Sequence, residues 1–340
     1  MNIRSILLLL CLVFSCDVFP ASKYAIPATD EGLPGAGPIR RYEWFQNLWD
    51  RKRSGWAKLV QQDQGALVFL GDSITQGWGD TMGGSFPGVK VANRGISGDT
   101  TRGVLIRLRE DVLSLNPSGV VLLIGTNDLE EKATPEVIAD NLKLIIAVLK
   151  KHSADMPIIL CNVMPSSAAK KRPADQIEKI NQLYFAAVKG DAQVTMLDTW
   201  LLFADDKGDA KKSEFPDLLH PNKTGYAKWA AALRPLLATH GFVETKPDNF
   251  QLEPGYVSLF NGHDLTGWGF RAKKTFKPTA TFDGKKASND ARYVAINGRL
   301  VVTTPPEGRR VQQLWTTREF PENFILKLEF RATPNADSGV

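Results

Sequence analysis

Five short strand-like segments, alternating with helix-like ones, constrain this chain more than any other feature of it. They lie at residues 66–70, 89–93, 120–124, 158–163 and 194–198. The first, Ala66 to Leu70, is apolar at every position and suits a strand buried on both faces, and the other four are strand candidates. The segments between them have helical spacing. Thr134-Pro135 opens one, threonine being a good N-cap and proline a good first residue, and Ile138, Leu142, Ile145, Ile146 and Leu149 make its stripe. Another starts near Pro173 and carries Ile177, Ile180 and Tyr184, and a last one carries Tyr226, Trp229, Leu233 and Leu237. An earlier helix is expected over residues 41–60, its stripe of Phe45, Leu48, Trp49, Trp56 and Leu59 packing on the sheet. Such alternation over some 200 residues predicts an α/β fold: a parallel sheet with helices on both faces. Right-handed crossovers leave few topologies open.

In open α/β sheets ligands bind at the carboxyl ends of the strands, and here those ends carry chemistry. The first run breaks into Gly71-Asp72-Ser73-Ile74-Thr75-Gln76-Gly77-Trp78-Gly79. The second gives way to Asn93-Arg94-Gly95-Ile96-Ser97-Gly98-Asp99-Thr100-Thr101, and the third to Gly125-Thr126-Asn127-Asp128. Asp217-Leu218-Leu219-His220-Pro221 precedes the last helix. Acyl transfer needs a nucleophile, a base, a group that orients the base, and donors for the developing oxyanion. The four segments supply one of each. Asp217 and His220 are three apart, so a single turn can bring both to one side. The nucleophile lacks the Gly-x-Ser-x-Gly elbow of α/β-hydrolases.

These four segments, in this order, resemble the motif blocks of the SGNH (GDSL) hydrolase family over residues 42–242. The branch resembled most holds platelet-activating-factor acetylhydrolase subunits and bacterial carbohydrate acetylesterases. The resemblance implies a three-layer, flavodoxin-like parallel sheet and a serine esterase without metal or cofactor. It assigns Ser73 as nucleophile, His220 as general base and Asp217 as the group orienting His220. The oxyanion hole it implies comprises the Ser73 and Gly98 N–H groups with the Asn127 side-chain amide. Gly98 is preferred to Gly95 because the family's donor glycine immediately precedes the aspartate of its block. Asp99 and Asp128 are expected to hold loops. Trp78 fits either a small acyl pocket or the core, and His152 and His240 read as surface residues near helix ends. His263 has no partners at metal spacing.

The remaining sequence sets the context. A net charge of +5, dispersed over 340 residues, is a poor match to a nucleic-acid partner. Arg4 precedes an apolar run from Ile6 to Phe14, too short to span a bilayer at roughly 20 residues. Residues 1–22 therefore read as an export signal to the periplasm or exterior. Val13-Phe14-Ser15-Cys16 loosely resembles a lipobox, with Phe14 fitting poorly, so a lipid anchor at Cys16 and simple export both stay open. Cys161 is the one cysteine left in the body and reads as a buried core thiol.

The hydrolase unit is placed at 40–242, a polar linker at 243–254 and a second unit at 255–340. In that unit residues 256–260, 299–303 and 324–331 are expected strands, the last alternating Phe324, Leu326, Leu328 and Phe330 with charged residues. Val257-Ser258-Leu259-Phe260-Asn261-Gly262-His263-Asp264-Leu265-Thr266-Gly267-Trp268, and later Asn335-Ala336-Asp337-Ser338-Gly339-Val340, resemble the 3-keto-disaccharide hydrolase domain family, of concanavalin-like jelly-roll fold. Its expected strands are too few to close a jelly roll of about eight, so an incomplete domain continuing past Val340 is expected. The functional expectation is hydrolysis of small O-acyl, foremost acetyl, esters on carbohydrate. A lipid or lysophospholipid esterase and a catalytically silent glycan-binding protein are the alternatives.

Overall fold

A computed structural model describes residues 22–243, 252–290, 292–302 and 312–330. All but the last residue of the expected signal segment, including Cys16, and most of the expected linker lie outside the described residues. The first unit runs α1 Glu43–Ala57, β1 Leu67–Gly71, α2 Ser73–Gly77, β2 Val91–Gly95, α3 Thr101–Asp111, β3 Gly119–Leu123 and α4 Thr126–Glu130. It continues α5 Pro135–His152, β4 Ile158–Cys161, α6 Ala174–Val188, β5 Val194–Leu197, α7 Thr199–Phe203 and α8 Lys223–Thr239.

The five strands form one parallel sheet in the order β2-β1-β3-β4-β5. Because side chains alternate across a strand, one run feeds two cores. Val68, Leu70, Val120, Leu122, Ile158 and Leu160 pack under α3, α5 and α6. Leu67, Phe69, Val121, Leu123, Ile159 and Cys161 pack with Trp229, Leu233 and Leu237 of α8 on the other face. This double burial is why β1, β3 and β4 read as apolar runs, whereas β2 carries Asn93 and Arg94 and β5 carries Thr195. Cys161 is fully buried, and burial pushes its thiol up to about 12, as befits a core residue. Helix starts follow the expected chemistry, the side chains of Thr100, Thr134 and Asn222 capping α3, α5 and α8. Among the described residues no helix is long and apolar enough to cross a membrane.

Two readings of the sequence need correction here. The α1 stripe does not lie on the sheet: Phe45, Trp49 and Trp56 cluster with Ile96, and Leu59 is exposed. The helix caps two fully buried arginines instead. Arg107 lies over Trp49 and Trp56, and Arg94 over Trp56, each guanidinium against an aromatic face. His240 is half-buried rather than on the surface, its Nε2 3.3 Å from Thr195 Oγ1.

Beyond residue 252 come β6 Trp268–Arg271, β7 Pro278–Thr281, β8 Tyr293–Ile296, β9 Arg299–Val302 and β10 Leu314–Thr316, which form antiparallel sheets in the order β10-β6-β7 and the pair β8-β9. The pair turns at Asn297-Gly298, both at positive φ (46° and 74°), the two-residue hairpin turn that matches strand twist. Leu265, Phe270, Phe282 and Ala295 form their core. These sheets fit part of a β-sandwich. Residues 256–260 and 324–330 are not strands, and Phe324, Leu326, Leu328 and Phe330 are exposed. An alternating pattern becomes a strand only where a neighbour takes its hydrogen bonds, and no described strand lies beside them.

Candidate active site

The site forms where β1, β2 and β3 end. Asp72 ends β1's carboxyl side as N-cap of α2, its Oδ1 accepting from the Ile74 N–H at 2.9 Å. Burial pushes its carboxyl up to about 6 against that hydrogen bond. The cap presents Ser73 as the first residue of α2. Gly71 and Gly95 permit the helix to sit this close: a Cβ on Gly71 would meet Leu123 O and Thr75 Oγ1 at 2.3 Å, and one on Gly95 would meet Gln76 N at 2.3 Å.

His220 arrives from the loop before α8. Its Nε2 is 2.9 Å from Ser73 Oγ, and its Nδ1 is 2.7 Å from Asp217 Oδ2. Asp217 Oδ1 accepts from the backbone N–H groups of His220 at 2.7 Å and Leu219 at 3.1 Å. Burial works to raise the Asp217 carboxyl, but the His220 amide, the His220 ring and the Leu219 amide outweigh it and hold the group at about 2. The turn between Asp217 and His220 requires Leu218 at φ 62°, a left-handed conformation costing a leucine about 1–2 kcal/mol. Ser166 donates to Leu218 O at 2.7 Å and pins that turn. From α8, Tyr226 donates to Ile74 O at 2.8 Å, tying the histidine's side of the site to the serine's helix.

Donors converge from the other two strand ends. Gly98 has φ 88°, and a Cβ there would lie 2.8 Å from Trp44 and 2.9 Å from Arg40 Nη1, so backbone shape and space both demand glycine. The Gly95 N–H donates to Asn93 Oδ1 at 2.8 Å, whereas among the described residues the Gly98 and Ser73 N–H groups donate to no protein acceptor. Ser97 N–H donates to Gln76 Oε1 at 2.9 Å, docking this loop on α2. Asn127 is buried in the first turn of α4. Its Nδ2 donates to Asp99 O at 3.0 Å and its Oδ1 accepts from Arg172 Nη2 at 2.9 Å, which fixes the amide's two ends and leaves one N–H uncommitted.

Asp99 and Asp128 hold loops, as expected. Asp99 accepts from Arg107 Nε at 2.8 Å and from the Thr100 N–H. Asp128 accepts from the Thr101 N–H and, at 2.5 Å, its hydroxyl. Burial pushes Asp99 up to about 6, Arg107 opposing, and Asp128 up to about 7, Thr101 opposing.

The cavity above Ser73 is about 420 Å³ and also reaches His220, Gly98 and Asn127. Trp78 does not line it. That ring is buried, stacked 4.5 Å from Trp229 and 5.3 Å from Tyr226, so the core explains it. Residues that motif reading missed line the cavity instead: Trp44, 52 % exposed, with Arg40, Lys170, Lys171 and Arg172. Arg172 stands beside Pro173 at the start of α6, and only its position between helix start and strand end hinted at a role. Among the described residues no group of three or more His, Cys, Asp or Glu is placed to hold a metal ion.

Residues 69–228 match the GDSL-like lipase/acylhydrolase family. Platelet-activating factor acetylhydrolase IB subunit alpha2 of Bos taurus and of Homo sapiens is each 30% identical over 220 residues, covering 63% of this chain and 89% of the relative. The chain belongs to the GDSL-like lipase/acylhydrolase family. An arylesterase of Vibrio mimicus is 31% identical over 112 residues, 29% of this chain and 56% of the relative. A solved structure of a Streptococcus pneumonia protein is 24% identical at TM-score 0.53, covers 57% of this chain and 94% of its own, and shares the fold. This GDSL hydrolase continues into a second matched region, residues 255–340, similar to the 3-keto-alpha-glucoside-1,2-lyase-like domain.

Proposed function

We propose that this chain is a serine esterase that removes small O-acyl groups, foremost acetyl, from carbohydrate. The observation that carries the reading is the unbroken relay from Ser73 Oγ through His220 to Asp217, at 2.9 and 2.7 Å. His220 Nε2 accepts the Ser73 proton as Oγ attacks the ester carbonyl. Asp217, ionised because its carboxyl is held at about 2, accepts from Nδ1–H and so keeps Nε2 the accepting nitrogen. The tetrahedral oxyanion is met by the Ser73 and Gly98 N–H groups and the free N–H of Asn127, fixed in place before the charge develops. The imidazolium returns its proton to the departing alcohol oxygen, leaving an acyl-serine. Water, deprotonated by His220, then attacks that acyl group and restores the Ser73 hydroxyl.

Two observations support a sugar as the alcohol. Trp44 packs beside Gly98 and exposes half its surface at the cavity, stacked 6.4 Å from an equally exposed Tyr42. Exposed flat aromatic faces suit the apolar face of a sugar ring, one end of the residue staying in water. The match of residues 255–340 to a glucoside-processing domain points the same way. The preference for acetyl draws on the names of the acetylhydrolase relatives.

The test compares wild type with Ser73→Ala on 4-nitrophenyl acetate, on esters of graded acyl length and on acetylated xylo-oligosaccharides. Loss of turnover and of fluorophosphonate labelling in the variant, with acetate released from the glycan by wild type, is expected. Turnover retained without Ser73 would overturn the mechanism. A preference for long acyl chains would overturn the substrate.

A further inference from the structure

The basic side chains around the cavity are not equally committed. Arg40 donates from Nε to Glu131 at 2.7 Å and pairs through Nη2 with Glu130. Arg172, buried, divides its donors among Thr126 O, Lys170 O, Asn127 Oδ1 and Glu130. Two carboxylates thus answer two guanidiniums. Lys170 and Lys171 also line the cavity, and among the described residues neither pairs with a carboxylate. Among the described residues they are the lining cations without a carboxylate partner in the cavity that holds Ser73.

The segment that carries them is built rather than loose. Lys170 ends a 3₁₀ turn, Ala168–Lys170, and Lys171 follows at φ 60°, a left-handed conformation unfavourable for lysine. The turn is closed by Lys171 N–H to Ala168 O at 2.9 Å and Arg172 N–H to Ser167 O at 3.0 Å. Arg172 Nη1 clamps Lys170 O at 2.6 Å, so the side chain that fixes Asn127 also fixes the lysine turn. Backbone strain held in place at a site rim is a mark of a positioned feature.

We infer that the alcohol half of the ester carries an anionic group, a carboxylate or a phosphate, which Lys170 and Lys171 receive at the cavity mouth. This rests on the esterase reading and narrows it to acidic esters. The acyl group must sit over Ser73 and the oxyanion donors, so the alcohol points outward, where the lysines stand. Charges in this half-exposed setting favour an anion, and His220 keeps Asp217 as its own partner.

The probes are three acetyl esters: 4-acetoxybenzoate, 4-acetoxyphenyl phosphate and the neutral methyl 4-acetoxybenzoate. The measured quantity is the ratio of kcat/KM for each anion to that for the neutral ester. Comparing ratios between enzymes cancels differences in leaving-group reactivity. In the Lys170→Gln/Lys171→Gln double variant the ratio is expected to fall about 2- to 30-fold, the range two partly exposed ion pairs support. For wild type it is expected to fall as ionic strength rises past about 0.1 M, where the screening length is about 10 Å. The larger drop, with carboxylate or with phosphate, identifies the group. Hydrolysis of all three esters with ratios unmoved by salt and by the substitutions overturns the inference alone. Absence of hydrolysis for all three overturns the esterase reading and the inference with it.

Discussion

Asn127→Ala separates the chemistry of the donor set from its architecture. In the native site the amide is fixed at both ends, by Asp99 O at 3.0 Å and Arg172 Nη2 at 2.9 Å, and one N–H remains for the substrate. Truncation removes that donor where charge appears only in the transition state. Loss of one such donor costs on the order of 10²–10³ in kcat, about 3–4 kcal/mol. Because the ground-state carbonyl gains little from the donor, KM should change far less than kcat. The substitution also strands Asp99 O and one Arg172 N–H, each a buried partner lost at about 1–3 kcal/mol of stability. The assay is steady-state hydrolysis of 4-nitrophenyl acetate, run beside urea unfolding of both proteins. Arg172→Ala serves as comparison: it releases only one end of the amide, so kcat should fall less, while stability falls comparably. An Asn127→Ala enzyme with unchanged kcat, or with kcat lowered only as far as in Arg172→Ala, would refute the reasoning.

Other outcomes follow from the same geometry. His220→Ala should lower kcat by on the order of 10⁶ and Asp217→Asn by on the order of 10⁴, since one removes the proton acceptor and the other only its orientation; equal losses in 4-nitrophenyl acetate hydrolysis would contradict the assigned roles. Gly98→Ala should destabilise by at least about 1–2 kcal/mol for the φ of 88° alone, read by urea unfolding, and should lower kcat by displacing the N–H. Asp128, pushed up to about 7 by burial, keeps a proton that the unfolded chain releases near pH 4. Its stabilising effect is therefore full below about pH 4 and lost as pH rises through about 7. The melting-temperature gap between wild type and Asp128→Asn should shift against wild type between pH 4.5 and 7.5, and a gap independent of pH would contradict this.

Legibility in the sequence tracks how local the physics is. The runs at 120–124 and 158–163 announced β3 and β4 because each strand buries both faces, so residues 120–124 and Ile158–Cys161 are apolar throughout. Thr134-Pro135 announced α5 because a cap is a matter of neighbouring residues. Ser73, Gly98 and Asn127 could be named because each follows a strand within a recognisable string, and Asp217 and His220 because they share one short string before α8. What escaped depends on partners far along the chain. Nothing in the sequence singles out Arg94 and Arg107 as buried, yet both are, because Trp49, Trp56, Asp63 and Asp99 supply stacking and charge from other segments. Trp44 and Phe45 are neighbours on α1, and no spacing rule tells that the first lines a cavity while the second is buried. The pattern at 324–330 promised a strand that the described partners do not complete.

Arg107 gives the site a property of its own. One guanidinium donates to Gly71 O at the end of β1, to Arg94 O near the end of β2, and to Asp99 under the Gly98 loop. A single side chain thus bolts the strand that leads to Ser73 and the Gly98 loop to one frame. The rim has separate moorings: Trp44 rides on α1, and the lysine turn hangs on Arg172. Changes at the rim can therefore accumulate in a lineage without loosening the frame. In evolutionary terms the groups a descendant presents at the rim are free to drift, while the frame under Ser73 and Gly98 stays anchored for as long as that arginine remains.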